Sequence, residues 1–179
     1  MDSKRLPKAV ALKIFVYFPM LFVMGIVLQA HLKEDRPYVK DFMSQQLLDL
    51  NSNPVDLSSW DHEVIVINFW GTWCPPCVRE VPILKALQEQ HDDKYLKVVG
   101  IGVDNIDKMR DFAKKNSINY LLLQGESSGI DMAFKLGNHA NGLPFTVILG
   151  RDRAIEKTIS GEITNAIFAD VLHLLSNKI

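Results

Sequence analysis

The apolar positions of this chain follow two different patterns. From Ile14 to Leu28 no residue carries a charge, and the apolar stretch extends back to Ala9 and on to Ala30 with Lys13 as its one interruption. About 20 apolar residues cross the hydrocarbon core of a bilayer, so this run is long enough to span. Lys13 lies near the edge, where its ammonium can snorkel to the headgroups, and Pro19 is tolerated as a kink. After residue 44 the apolar pattern becomes short and periodic. Leu48 and Leu50, then Val55 and Leu57, alternate with polar residues around Asn51-Ser52-Asn53-Pro54, which predicts a small hairpin. Glu63–Phe69 is a nearly continuous β-branched and aromatic run, the signature of a strand buried on both faces in a parallel sheet. Val81, Leu84 and Leu87 then recur at helical spacing. Leu96–Val103 predicts a second strand, Ile106, Met109 and Ala113 a helix face, and Tyr120–Leu123 a short strand. Ile130, Ala133 and Phe134 predict a further helix, with Ser128 as its cap and Gly137 as its stop. Phe145–Leu149 and Ala154–Ser160 flank Gly150-Arg151-Asp152-Arg153 as a hairpin. Thr164 caps a last helix whose apolar face is Ile167, Phe168, Val171, Leu172 and Leu175.

Strand and helix thus alternate three times before a hairpin and a final helix. That order predicts an α/β domain with a mixed central β-sheet flanked by helices, its first half a right-handed crossover unit. The expected division is an N-terminal transmembrane helix or signal segment over 1–30, a charged tether containing Pro37 over 31–44, and a folded domain over 45–179. Lys4, Arg5, Lys8 and Lys13 precede the apolar run against Asp2 alone, and the positive-inside rule keeps that end in the cytoplasm. The expected location is therefore the inner (cytoplasmic) membrane, single-pass, with the C-terminal domain on the periplasmic, extracytoplasmic side. A cleaved signal peptide ending near Ala30 is the competing reading, weakened by Leu28 where a small residue is preferred. Both readings export the folded part.

Composition narrows the chemistry. Lys and Arg number 20 against 21 Asp and Glu, a net charge of −1, which disfavours nucleic acid as a partner. The chain has 2 cysteines in 179 residues, too few for a disulfide scaffold or a four-cysteine zinc site. Both lie in Trp73-Cys74-Pro75-Pro76-Cys77, where the buried-type strand gives way to a helix. This spacing permits a disulfide within one turn and sets a sulfur beside the unpaired N–H groups of a helix start. Those amides and the helix dipole favour thiolate, the attacking species in thiol–disulfide exchange. The first cysteine of such a pair normally faces solvent with the second beneath it, so Cys74 is assigned as nucleophile and Cys77 as resolving thiol. An inert apolar pair is the bland alternative, but the strand-to-helix context of an exported chain points to redox work. His31, His62, His91, His139 and His173 have no ligand-like spacing to the pair, and no G-x-G-x-x-G or Walker pattern occurs, so no metal or other cofactor is expected. Pro75 suits the first helical position and Pro76 removes a second amide. With two donors gone, the Cys74 thiolate is less stabilised and the dithiol becomes a better reductant.

The stretch Val64–Pro82 around this motif, together with Gly142-Leu143-Pro144-Phe145-Thr146, resembles the thioredoxin superfamily, and within it the membrane-anchored TlpA/ResA/CcmG-type thiol-disulfide oxidoreductases. The resemblance covers most of 45–179 and implies a thioredoxin-like fold. It implies a cis peptide before Pro144, in a loop with Leu143 that faces the cysteines and binds substrate backbone. It places Glu80 near the active site, where its charge resists thiolate formation or accepts a proton during exchange; the alternative is a solvated first-turn glutamate. Asn68 stands where thioredoxin carries a buried aspartate, so acid–base work passes to Glu80 or water. Trp73 packs beside the pair and, with Pro75 and Pro76, shapes the docking surface; Trp70 and Phe69 are core, and Pro82 kinks the helix. Residues 31–60 resemble the family's amino-terminal hairpin only loosely, and His139-Ala140-Asn141 gives no guide to substrate.

The resemblance implies an extracytoplasmic reductase of protein disulfides, apocytochrome c before haem attachment foremost, recharged by a transmembrane thiol electron donor of the DsbD/CcdA type. The rivals are an oxidase or isomerase, a non-catalytic docking module of the same fold, and a thiol metallochaperone. A peroxidase is disfavoured, because Gly71 occupies the threonine place of the Thr-x-x-Cys arrangement.

Overall fold

The computed structural model describes residues 23–24, 36–60, 64–91 and 95–176. Apart from Val23 and Met24, the apolar run expected as an anchor lies outside the described residues. Among the described residues no helix is long and apolar enough to cross a membrane.

The folded unit begins at Arg36, nine residues earlier than the sequence pattern suggests. Arg36–Met43 is a helix, α1, not part of a tether. Val39, Phe42 and Met43 form a stripe at i, i+3 and i+4 that is buried in the core. Phe42 meets Phe69 edge-on, their ring centroids 6.5 Å apart. The charged residues between these positions disguise the period as a polar segment.

Strands β1 (Gln46–Leu48) and β2 (Pro54–Asp56) form the expected small antiparallel hairpin. Its turn is held by Asp49, whose carboxylate accepts the Asn51 and Asn53 amides at 2.7 and 2.8 Å. The central sheet has β3 (Val64–Trp70), β4 (Leu96–Gly102), β5 (Leu121–Gln124), β6 (Phe145–Leu149) and β7 (Ile155–Ser160) in the order β5-β4-β3-β6-β7. β3, β4 and β5 are parallel; β6 and β7 are antiparallel to their neighbours. All of β3 is buried, because it is the middle strand with helices on both faces. Ile65, Ile67 and Phe69 point to the side of α1 and α4 (Ser128–Lys135). Val64, Val66 and Trp70 point to the side of α2 (Pro75–Gln90), α3 (Ile106–Lys115) and α5 (Asn165–Ser176).

Two local expectations differ. Ser128 does not cap α4: its hydroxyl donates to the Gly125 carbonyl at 2.7 Å, and Ser127 occupies the cap position. Phe134 is not on the buried face of α4 but 48 % exposed, and Met132 takes the core position. Gly137 ends the helix with φ of +108°, a conformation that favours glycine. Ile167, Phe168 and Leu172 of α5 pack against the core around buried Val171, and the Ile167 amide donates to Thr164 Oγ1 at 3.4 Å. Phe69 pairs with Phe145 across β3 and β6, so the chain just before β6 reaches the same sheet end as the start of α2.

Candidate active site

That shared end is the carboxyl edge of β3 and β4, where open α/β sheets place their sites. Cys74 caps α2. Its sulfur accepts the Cys77 N–H at 3.3 Å and is joined to Cys77 Sγ in a disulfide of 2.07 Å. Pro75 and Pro76 occupy the first two helical positions, so the Cys77 amide is the first N–H the helix start presents. Cys74 does not face solvent: it is 3 % exposed and Cys77 1 %. In the disulfide form its sulfur is folded inward over the helix start, within the core cluster that holds Trp70 and Leu84. Pro75 is exposed and Pro76 half-buried.

The Leu143–Pro144 peptide is cis. Pro144 is buried, and Leu143 packs against both core clusters. The Pro144 carbonyl accepts the Gly161 N–H at 2.9 Å. The loop before it is built on buried Asn138, whose Nδ2 donates to the Gly142 carbonyl at 2.9 Å.

Glu80 is not a solvated first-turn carboxylate; it is fully buried. Oε1 accepts Asn68 Nδ2 at 2.7 Å and Oε2 accepts the Ile163 N–H at 2.9 Å. Burial raises its pKa from 4.5 to about 7; the Ile163 and Asn68 hydrogen bonds oppose the rise, and the nearby Glu162 charge adds to it. The group therefore exchanges a proton near neutrality one turn along α2 from Cys77. Asn68 also donates to Thr146 Oγ1 at 3.0 Å, joining β3, β6 and α2 through one amide. Glu162 itself is paired with Arg79 at 2.6 Å.

Trp73 is 61 % exposed, while its indole N–H donates to the Val103 carbonyl at 3.0 Å. Thr72 beside it donates both its N–H, at 2.9 Å, and its hydroxyl to Asp104 Oδ2. Partial burial pushes the Asp104 pKa up, but the Thr72 hydroxyl and the Asn105 and Thr72 amides outweigh it and leave the pKa lowered. Trp70 and Phe69 are core. His31 and His62 lie outside the described residues, and no group of three or more His, Cys, Asp or Glu among the described residues could hold a metal ion.

Sequence reasoning singled out Cys74, Cys77, Glu80, Trp73, Pro75, Pro76, Leu143 and Pro144, and the fold brings them to one sheet end. It missed Thr146, the Ile163 amide and Asp104. Thr146 and Ile163 carry no local signal, since their partners are 78 and 83 residues away. Asp104 carried one: an acidic residue just past a buried parallel strand.

The sequence pattern of the Redoxin family matches residues 33–172. The thiol-disulfide oxidoreductase ResA of Bacillus thuringiensis (strain Al Hakam) is 28 % identical over 134 residues, covering 74 % of this chain and 75 % of that protein. ResA of Bacillus subtilis (strain 168) is 23 % identical over 130 residues, covering 72 % and 70 %. A thioredoxin-related protein from Neisseria meningitidis serogroup B superposes with a TM-score of 0.62 at 25 % identity, over 74 % of this chain and 100 % of that one. A secreted thiol-disulfide isomerase from Corynebacterium glutamicum does so at 0.63 and 25 %, over 73 % and 81 %. With a cysteine pair at a helix start and a cis-proline at the same sheet end of a thioredoxin-like fold, and with these similarities along its length, the chain belongs to the Redoxin family as a ResA/TlpA-like thiol-disulfide oxidoreductase of the thioredoxin superfamily.

Proposed function

We propose that this chain works as a membrane-anchored, extracytoplasmic reductase of protein disulfides. The observation that supports the reducing direction is the proline pair. Among the described residues the hydrogen bond to Cys74 Sγ comes from the Cys77 N–H alone, since Pro75 and Pro76 have no amide hydrogen. A thiolate with one donor is weakly stabilised, and a weakly stabilised dithiol gives up its electrons readily.

In the reductive half-cycle the Cys74 thiolate attacks one sulfur of a substrate disulfide and expels the other as thiolate, leaving a mixed disulfide. Cys77, deprotonated, then attacks Cys74 Sγ, releases the substrate's second thiolate and closes the Cys74–Cys77 bond. The substrate gains two electrons and the enzyme loses two. Glu80 is the buried group able to take or return the Cys77 proton. The disulfide is returned to dithiol by a transmembrane thiol donor of the DsbD/CcdA type, since an oxidising compartment supplies no reductant of its own. The strand edge by cis-Pro144, with Leu143, Trp73 and the exposed Pro75, receives the substrate chain, and apocytochrome c before haem attachment is the substrate proposed. The charge asymmetry around the Ala9–Ala30 run supports the membrane topology.

A Cys77→Ser variant, expressed as the full-length protein, holds its substrate on Cys74 as a mixed disulfide. Mass spectrometry of the trapped species is expected to return unhaemed cytochrome chains. Recovery of many unrelated exported proteins would replace that substrate with a general one. Absence of any adduct, with no reduction of insulin by the wild-type protein, would refute the reductase.

A further inference from the structure

We propose that Asp104 is a positioning residue of the thiol–disulfide reaction, clamping the loop that carries Cys74 so that Trp73 stands as a fixed apolar plate against which the substrate chain docks. This deepens the reading above and rests on its protein substrate.

The segment Gly71–Trp73 joins the end of β3 to the cap of α2, and three bonds tie it to the end of β4. Thr72 gives its N–H and its hydroxyl to one oxygen of Asp104. Trp73 gives its indole N–H to the Val103 carbonyl at 3.0 Å. Val103 in turn gives its N–H to the Trp70 carbonyl at 2.8 Å. The other Asp104 oxygen accepts the Asn105 N–H at 2.7 Å, so the carboxylate is itself fixed to the cap of α3. The indole lies folded across Gly71, where an added Cβ would come within 2.6 Å of Trp73 Nε1; a side chain there would displace it. Trp73 is thus the unusual case of a large apolar side chain that is 61 % exposed and yet hydrogen-bonded and seated on the backbone. An aromatic held in its bound rotamer spares the ordering cost that a free one carries into an interface, and exposed tryptophans are frequent anchors of binding.

Releasing the clamp costs binding, not sulfur chemistry. The expected effect of Asp104→Ala is a roughly three- to tenfold rise in KM for a protein disulfide such as insulin, with kcat and the rate towards a small disulfide such as dithionitrobenzoate within about twofold of wild type. Asp104→Asn keeps one acceptor for Thr72 and falls between. Thr72→Val reproduces the loss, and Thr72→Ser, which retains the hydroxyl, restores it. Combined with Thr72→Val, Asp104→Ala adds nothing further. An independent readout is the Trp73 indole N–H in a nitrogen-15 spectrum of the full-length protein, assigned by Trp73→Phe. Its hydrogen exchange is expected to accelerate about tenfold or more in Asp104→Ala. Unchanged exchange together with an unchanged KM would overturn the clamp. Equal losses on protein and small disulfides would overturn the positioning role and give Asp104 a part in the sulfur chemistry. If the wild-type protein reduces no protein disulfide, the substrate reading fails by itself, and indole exchange in the same variants still decides the clamp.

Discussion

Replacing Glu80 with glutamine removes a buried carboxyl whose proton is exchanged near neutrality, and the structure gives the size and sign of the consequence. The carboxyl has an ordinary pKa of 4.5 and a folded-state pKa of about 7, raised chiefly by burial. Each tenfold gain in proton affinity is worth about 1.4 kcal/mol, so the gap corresponds to about 3 kcal/mol. Between those two values Glu80 holds more proton in the folded chain than in the unfolded one, and its contribution to stability therefore falls as pH rises. That contribution is highest below about 4.5, declines through the interval and is flat above about 7. Glutamine cannot ionise, so Glu80→Gln lacks this decline. Its amide also presents one oxygen where Asn68 and the Ile163 N–H each need an acceptor, which costs stability by an amount independent of pH. The pH dependence of the difference is therefore the informative quantity, not its absolute value. Denaturant unfolding of the oxidised protein, in which neither cysteine titrates, is measured for both proteins from pH 4.5 to 8.5. Wild type is expected to lose about 3 kcal/mol relative to Glu80→Gln across that range, with the midpoint of the loss inside it. A difference that stays constant within 0.5 kcal/mol, well below the 1.4 kcal/mol of one tenfold step, would refute the claim that burial holds this carboxyl protonated near neutrality.

Pro76→Ala restores an N–H at the second helical position, where it can reach the Cys74 sulfur. Stabilisation by about 1 kcal/mol lowers the thiol pKa by somewhat less than one pH unit and makes the pair more oxidising; thiolate absorbance against pH and a glutathione redox titration read both, and an unchanged pKa would remove the proposed basis of the reducing direction. Phe42→Ala empties a buried site against Phe69 and is expected to cost about 3–5 kcal/mol in denaturant unfolding, whereas a loss under about 1 kcal/mol would return residues 36–43 to the tether.

The fold was legible where burial was two-sided. Val64–Trp70 declares itself by an apolar run that Asn68 alone interrupts, and Phe145–Leu149 by its position after a proline loop, because a strand buried on both faces shows almost no polar alternation. Helix α1 was hidden for the opposite reason: one face of two turns carries its burial, and exposed Tyr38, Lys40 and Asp41 lie on the rest. The site divides in the same way. Cys74, Cys77 and their prolines are local and could be read from spacing. The burial of Cys74 comes from its packing in the cluster with Trp70 and Leu84, which spacing does not encode. The environment of Glu80 depends on Asn68, twelve residues back, and on an amide 83 residues onward, so a helix-start glutamate and a buried acid look the same in one dimension.

Those distant partners explain how the fold keeps an acid in its interior. A buried carboxyl without partners costs several kcal/mol, and both Glu80 oxygens are satisfied by elements that also hold the cis-proline segment. Oε1 is met by Asn68, whose same nitrogen reaches Thr146, two residues past Pro144. Oε2 is met by the Ile163 N–H, in a turn whose Gly161 N–H holds the Pro144 carbonyl. Asparagine at position 68 suits this arrangement where aspartate would not. Its amide donates to two acceptors at once, whereas a second carboxylate 2.7 Å from Glu80 would force the pair to share a proton and leave Thr146 to donate instead. The proton-exchanging group and the segment proposed to receive substrate backbone thus form one hydrogen-bonded unit, so a shift of the strand edge at Pro144 cannot leave the surroundings of Glu80 unchanged.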